Sequence, residues 1–281
     1  MHSKLLPNQI CVHLDASHAE ATGNTLDAQT LLVFIHGVGM NAKNWCAQKG
    51  FFDEHYACCY VDLPGHGMSG PLQIESAQSL LDLFCLTVSE TIDLLPVATQ
   101  QIVLVGHSLG ALIACHLAAT TPKRFAAVVA LSTVHDRSDA ALKAVQARAF
   151  ELADEQSELD LDTTLNRWFT NDEHHKYELE HAWTKTWLQE ADRDAYALAY
   201  QAFASTRGVD AAQAGKLHLP ALFITGTKDQ NSSPDMSINL ASRAPEGDIY
   251  LVEGARHMCH LTHAQEVNQA MLTFLKSKHI H

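Results

Sequence analysis

The sequence predicts an α/β domain built on a doubly wound, mostly parallel sheet. Three observations carry that expectation. Short apolar runs recur along the chain, each ends in polar or glycine-rich residues, and segments of helical length separate them. A strand covered on both faces needs continuous rather than alternating apolar residues, as parallel sheets do. Strand alternating with helix then gives a doubly wound architecture.

In chain order, the β-type runs are LLVFIHG (31–37), ACCYVD (57–62), QIVLVG (101–106), FAAVVALS (125–132), PALFITG (220–226) and DIYLVEG (248–254). Segments of helical length lie at 73–95, 108–121, 234–244 and 263–277. In such sheets ligands gather beyond the carboxyl ends of the strands.

Residues 134 to about 210 break this rhythm. They hold no convincing strand, and apolar residues recur at helical spacing: Leu142, Val145, Ala149 and Leu152; Leu165, Trp168 and Phe169; Tyr196, Tyr200 and Phe203. The segment carries three of the four tryptophans and 16 acidic against 8 basic residues, so −8 of the chain's −13 formal charge sits there. A helical insert at this point is expected to cap the sheet's carboxyl edge. The organisation read from the sequence is therefore a core in two parts, 1–133 and 211–281, around a helical cap at 134–210.

Composition narrows the function classes. With 281 residues, 47% of them apolar, the chain can bury a full core. A formal charge of −13 disfavours nucleic acid or an anionic membrane as partner. No apolar run approaches the ~20 residues of a membrane span. The first residues lack a signal-peptide pattern, and seven cysteines without framework spacing read as reduced thiols, so a cytoplasmic location is expected. The 18 histidines raise a metal site, with His174, His175 and His181 in one cluster and His257, His260 and His263 near Cys259 in another. Neither has H-E-x-x-H spacing, the second overlaps a better reading of His257, and no metal is expected.

That reading starts at Gly106-His107-Ser108-Leu109-Gly110, which fits G-x-S-x-G between a strand and a helix. A sharp strand-to-helix turn holds such a serine strained, with its Oγ exposed. The plain alternative is an N-cap serine. A serine nucleophile needs a base, and the base needs an orienting acid. Asp229 follows Gly226 by three residues at a strand end, and His257 follows Gly254 likewise at the next. The order Ser108, Asp229, His257 is the one this architecture uses. Taken singly, Asp229 could be a turn aspartate and His257 a loop histidine; Asp136 is a reserve acid. The oxyanion donors would be the backbone N–H groups of Leu109 and, from the loop HGVGMN, of Val38. His107, Arg167, Trp168 and Met258 are the candidate substrate contacts.

The segments FIHGVGMNAKNW (34–45), YVDLPGHGMSG (60–70), GHSLGALIA (106–114), TGTKDQNSSP (225–234) and EGARHM (253–258) make nearly the whole chain resemble the α/β-hydrolase superfamily. Within it, HGVGMNAKNW and NRWFTND (166–172) are most similar to enol-lactone hydrolases and small carboxylesterases. Two departures stand out: Gly110 is followed by Ala111 where many relatives have a second glycine, and HLTHAQE (260–266) lacks a common proline. The resemblance implies the α/β-hydrolase fold with its cap inserted after the sixth strand, Ser108 as nucleophile, Asp229 as acid, His257 as base, and no cofactor. The partner it implies is a small apolar or aromatic ester or lactone. Carbon–carbon hydrolases and the menaquinone-pathway lyase, cofactor-free perhydrolases and non-catalytic receptors share the scaffold. The acidity of 134–210 argues against a highly anionic substrate, which Arg137, Arg167 or Arg207 would have to offset by direct pairing.

Overall fold

The computed structural model describes residues 2–15, 20–22, 25–74, 79–154, 160–170 and 175–281. Among the described residues nine strands form one sheet: β1 (His2–Leu5), β2 (Cys11–Asp15), β3 (Glu20–Thr22), β4 (Thr25–Ile35), β5 (Ala57–Val61), β6 (Val97–His107), β7 (Ala127–Leu131), β8 (Ala221–Gly226) and β9 (Gly247–Val252). Eight lie in the order β1-β2-β5-β4-β6-β7-β8-β9, and short β3 pairs with β4. From β5 to β9 every pairing is parallel; β1–β2, β2–β5 and β3–β4 are antiparallel. The expected doubly wound, mostly parallel sheet is thus the observed one.

Alternate residues of each central strand feed two cores. Val33 and Ile35 of β4 join one, and Leu32 and Phe34 join the other. The first is completed by α2 (Leu80–Asp93) and α3 (Leu109–Thr120), the second by α1 (Cys46–Phe52) and α11 (Ala264–Ser277). Nearly every side chain of α3 is buried, so this helix is apolar all round, as a helix covered on every side must be.

The structure corrects the sequence reading at the sheet edges. No strand is expected before residue 31, yet β1 and β2 lie on one edge, where β2 pairs through Val12–Val61 and His13–Tyr60. Their four or five residues mix His, Lys and Asp with apolar groups, so long-range pairing rather than periodicity makes them strands. At the other edge, β9 is not covered on both faces: Ile249 is 40% and Leu251 37% exposed. The insert follows β7, the sixth strand of the sheet when the short β3 hairpin is left out.

Between β7 and β8 the chain leaves the sheet through α4 (Asp139–Leu152), α5 (Leu161–Trp168), α6 (Glu178–Glu190), α7 (Arg193–Ala204) and the short α8 (Ala211–Ala214). Ser138, Asp160, Asp192 and Asp210 cap α4, α5, α7 and α8 by accepting a hydrogen bond from a first-turn N–H. The ends of the excursion meet at a parallel bridge, His135–Val209, and at Arg137 N, which donates to Arg207 O at 2.9 Å. Helix α7 packs on α4 and α2, and it seats Tyr196 against Gly39. Gly39 has φ +72°, and a Cβ there would stand 2.5 Å from Tyr196 Cε2, so only glycine admits this approach. The helices of 139–204 therefore sit over the loops at the carboxyl edge of the sheet.

Among the described residues no helix is long and apolar enough to cross a membrane. All seven cysteines are free thiols.

Candidate active site

Strand β6 ends at His107 and α3 begins at Leu109, leaving Ser108 alone at the turn with φ 55° and ψ −114°. A non-glycine residue there stores roughly 1–3 kcal/mol of strain, held by what surrounds it. Ser108 N donates to Leu131 O at 2.9 Å, and Ser108 O accepts from Leu112 N at 3.0 Å. Gly110 lets α3 start this close to β4, because a Cβ at 110 would lie 2.0 Å from Ile35 O. The Ser108 side chain makes no N-cap hydrogen bond, which removes the plain capping alternative.

Asp229 and His257 project from the loops after β8 and β9. Those loops are tied together: Lys228 N donates to Ala255 O at 2.9 Å and Gly254 N to Thr227 Oγ1 at 2.8 Å. Asp229 Oδ1 accepts from the N–H groups of Asn231 at 2.8 Å and Ser232 at 3.1 Å. Its Oδ2 stands 2.9 Å from His257 Nδ1, and both side chains are buried. Such a carboxylate fixes the imidazole with its proton on Nδ1 and leaves Nε2 as the acceptor. Asp136 is exposed and makes no such contact, so Asp229 is the carboxylate that reaches the ring.

His257 and Ser108 line the same cavity, of about 610 Å³. No hydrogen bond joins Ser108 Oγ to His257 among the described residues; such bonds often tighten only with substrate bound. His107 holds the loop of His257 by donating from Nε2 to its backbone carbonyl at 3.0 Å. Burial, reinforced by the neighbouring rings of His260 and His257, drives His107 well below its ordinary value, so this donor is a neutral ring.

The loop after β4 brings Val38 to the cavity wall, with Gly37 packed against Ser108. Two neutral histidines shape this loop. His36 Nδ1 donates to Gly37 O at 2.7 Å while its Nε2 accepts from Leu63 N at 2.9 Å. His66 Nδ1 donates to Pro64 O at 2.9 Å and its Nε2 accepts from Gly39 N at 3.3 Å. Burial, with His66 nearby, pushes His36 down to about 3. Burial pushes the Asp62 carboxyl up, but hydrogen bonds from His13 and the amides of Met68 and Ala42 hold it below its ordinary value. Neither Val38 N nor Leu109 N has a protein acceptor among the described residues. For Leu109 this follows from its place as the first helical residue.

Of the candidate substrate contacts, His107, Arg167 and Trp168 line the cavity, and the Trp168 ring lies 5.7 Å from that of His257. Met258 does not. It is fully buried in the core and donates its N–H to Trp168 O at 3.4 Å, because the chain turns inward after His257 to start α10 (Cys259–Thr262). Arg207 is exposed, pairs with Asp139 and stays off the cavity wall. The sequence reading missed Arg148, Met40 and Met236 in the lining. For Arg148 a signal existed: Ala141, Ala144, Val145 and Arg148 share one face of α4, with small residues that leave room for a ligand.

His174 lies outside the described residues, and the cluster at 257–263 is not drawn together as ligands. The described residues bring one trio of ligating atoms within 4.8 Å, those of Cys11, His13 and Asp62. Asp62 is already engaged there by His13 at 2.9 Å and by the amides of Ala42 and Met68 at 2.7 and 3.0 Å.

Residues 32–270 match the model of the alpha/beta hydrolase family. The chain belongs to that family. A relative in Acinetobacter baylyi, (E)-2-((N-methylformamido)methylene)succinate hydrolase, is 38% identical over 88% of this chain and 90% of its own length. A pimeloyl-[acyl-carrier protein] methyl ester esterase of Xanthomonas campestris is 28% identical over 87% of this chain and 94% of its own. Among solved structures, the enol-lactonase from Burkholderia xenovorans superposes with a TM-score of 0.79 at 22% identity, covering 98% of this chain and 100% of the other. Both of these relatives by sequence are hydrolases, and this alpha/beta hydrolase matches nine-tenths or more of their length.

Proposed function

We propose that this alpha/beta hydrolase is a serine hydrolase that cleaves a carboxylic ester or lactone of a small substrate through an acyl-enzyme. The observation that carries the reading is the pairing of His257 Nδ1 with Asp229 Oδ2 at 2.9 Å beside a cavity that also exposes a strained Ser108. In this reading Ser108 Oγ attacks the substrate carbonyl as His257 Nε2 takes its proton. The N–H groups of Val38 and Leu109 receive the developing oxyanion. His257 then returns the proton to the leaving oxygen, the C–O bond breaks, and the acyl group stays on Ser108. Water, deprotonated by His257, releases the acid and restores the serine. Asp229 holds the ring tautomer throughout.

Residues 134–210 act as the cap, with 1–133 and 211–281 as the core. Trp168, Tyr196, Tyr200 and Phe203 give the cavity an apolar and aromatic lining. The 38% identical relative favours a second reading in which the bond broken is an amide, since its named substrate carries an N-formyl group. The chemistry at Ser108 would be the same, with nitrogen as the leaving atom.

A fluorophosphonate probe tests the reading. It should modify Ser108, as mapped by peptide mass spectrometry, and Ser108→Ala should block both labelling and turnover of p-nitrophenyl esters or lactones. A wild-type protein left unlabelled under conditions that label a control esterase would refute it. Turnover of a carbon–carbon substrate with no ester, lactone or amide turned over would move the chemistry to that class.

A further inference from the structure

The helical segment is acidic, yet the described residues it presents to the cavity of Ser108 include three arginines. Among the described residues, Arg137, Arg148 and Arg167 line the cavity beside two carboxylates, Glu151 and Asp160. Both carboxylates are engaged: Glu151 Oε2 accepts from Arg148 Nη1 at 3.1 Å, and Asp160 Oδ1 caps α5 by accepting from Thr163 N at 2.9 Å. Arg137 and Arg167 have no ion pair among the described residues. The three arginines come from separate elements: the loop after β7, α4 and α5.

Arg137 is the informative one. It is 2% exposed, its Nη1 donates to Phe203 O at 2.9 Å and Thr206 O at 2.7 Å, and its guanidinium lies 4.1 Å over the Phe203 ring. Nη2 is buried with no hydrogen-bond partner. A guanidinium taken out of water without a counter-anion is costly, and proteins rarely keep one without use. Burial lowers it to about 10, which leaves it cationic at neutral pH. Burial raises the Tyr200 phenol above its ordinary value, while the nearby charges of Arg167, Arg148 and Arg137 pull it down and that of Glu151 pushes it up.

We propose that the substrate of Ser108 carries a carboxylate, bound at this arginine wall. Arg167 pairs with it directly, beside Arg148 and Tyr200, and Arg137 supplies buried positive charge behind them. The apolar body of the substrate lies against Trp168, Tyr196 and Phe203. The net acidity of the cap is then a property of its outer surface, and the expectation that it would repel an anion fails at the cavity. This inference rests on the serine-hydrolase reading, and its test separates the two.

The rate of fluorophosphonate labelling at Ser108 is measured alone, with glutarate, and with glutaramide, a neutral compound of the same length. Glutarate should slow labelling and glutaramide should not. Arg167→Gln, at an exposed position, should weaken the apparent affinity for glutarate about tenfold, and Arg167→Lys should restore part of it. Equal labelling rates with both compounds in the wild type would overturn the anion site and leave the serine reading standing. If the probe does not label Ser108, the serine reading falls instead, and titration calorimetry with glutarate decides the anion site separately. No heat of binding there would overturn it.

Discussion

Replacing Asp229 with asparagine probes the geometry that matters most. Oδ1 of Asp229 accepts from two backbone N–H groups, at 2.8 and 3.1 Å, and Oδ2 faces His257 Nδ1 at 2.9 Å. An asparagine satisfies the two amides only if its oxygen takes the Oδ1 place. Its NH2 group then points at His257 Nδ1, which must become an acceptor, and the ring proton moves to Nε2. In that tautomer the base cannot accept a proton from Ser108. The opposite flip would aim NH2 at two N–H donors and leave them unsatisfied, at about 1–3 kcal/mol each. Asp229→Asn should therefore fold normally but lose roughly 10⁴-fold in kcat, equivalent to about 5 kcal/mol of barrier. The loss should be smaller than that from Ser108→Ala or His257→Ala. Steady-state kinetics on the best ester or lactone, with Tm measured in parallel, reads both effects. More than a tenth of wild-type kcat in Asp229→Asn, alongside an inactive Asp136→Asn, would refute the assignment.

Two further predictions concern stability. Ser108 sits at φ 55°, so Ser108→Gly should be more stable than Ser108→Ala, which keeps the strain, by about 1 kcal/mol after the entropic cost of glycine; calorimetry showing glycine no better than alanine would contradict it. Burial pushes His36 and His260 from 6.5 down to about 3. Both rings are neutral when folded, and the unfolded chain binds their protons first. Their contribution is complete above pH 6.5 and is lost as pH falls toward 3, by about 2 kcal/mol each at pH 5. Urea unfolding at pH 7.5 and 5 should show the drop, and equal midpoints with equal slopes would exclude it.

The central strands and the helices α2, α3, α9 (Pro234–Arg243) and α11 were legible because local apolar patterning reports burial directly. The same holds for Ser108, Asp229 and His257, whose chain order and strand-end positions are local features. The N-terminal strands β1 and β2 were not legible, since their few mixed residues become strands only by pairing with β5. Nor was the direction of Met258, which is buried in the core while its neighbour His257 faces the cavity. Arg137, Arg148 and Arg167 show the division most clearly. A count of charges along residues 134–210 gives an acidic segment, whereas three arginines stand among the described residues that line the cavity of Ser108. The sequence by itself determined the alternation of strands and helices and the residue types that stand at the strand ends. Only the tertiary structure decided which side chains share a cavity, because periodicity records whether a residue is buried and not what it is buried against.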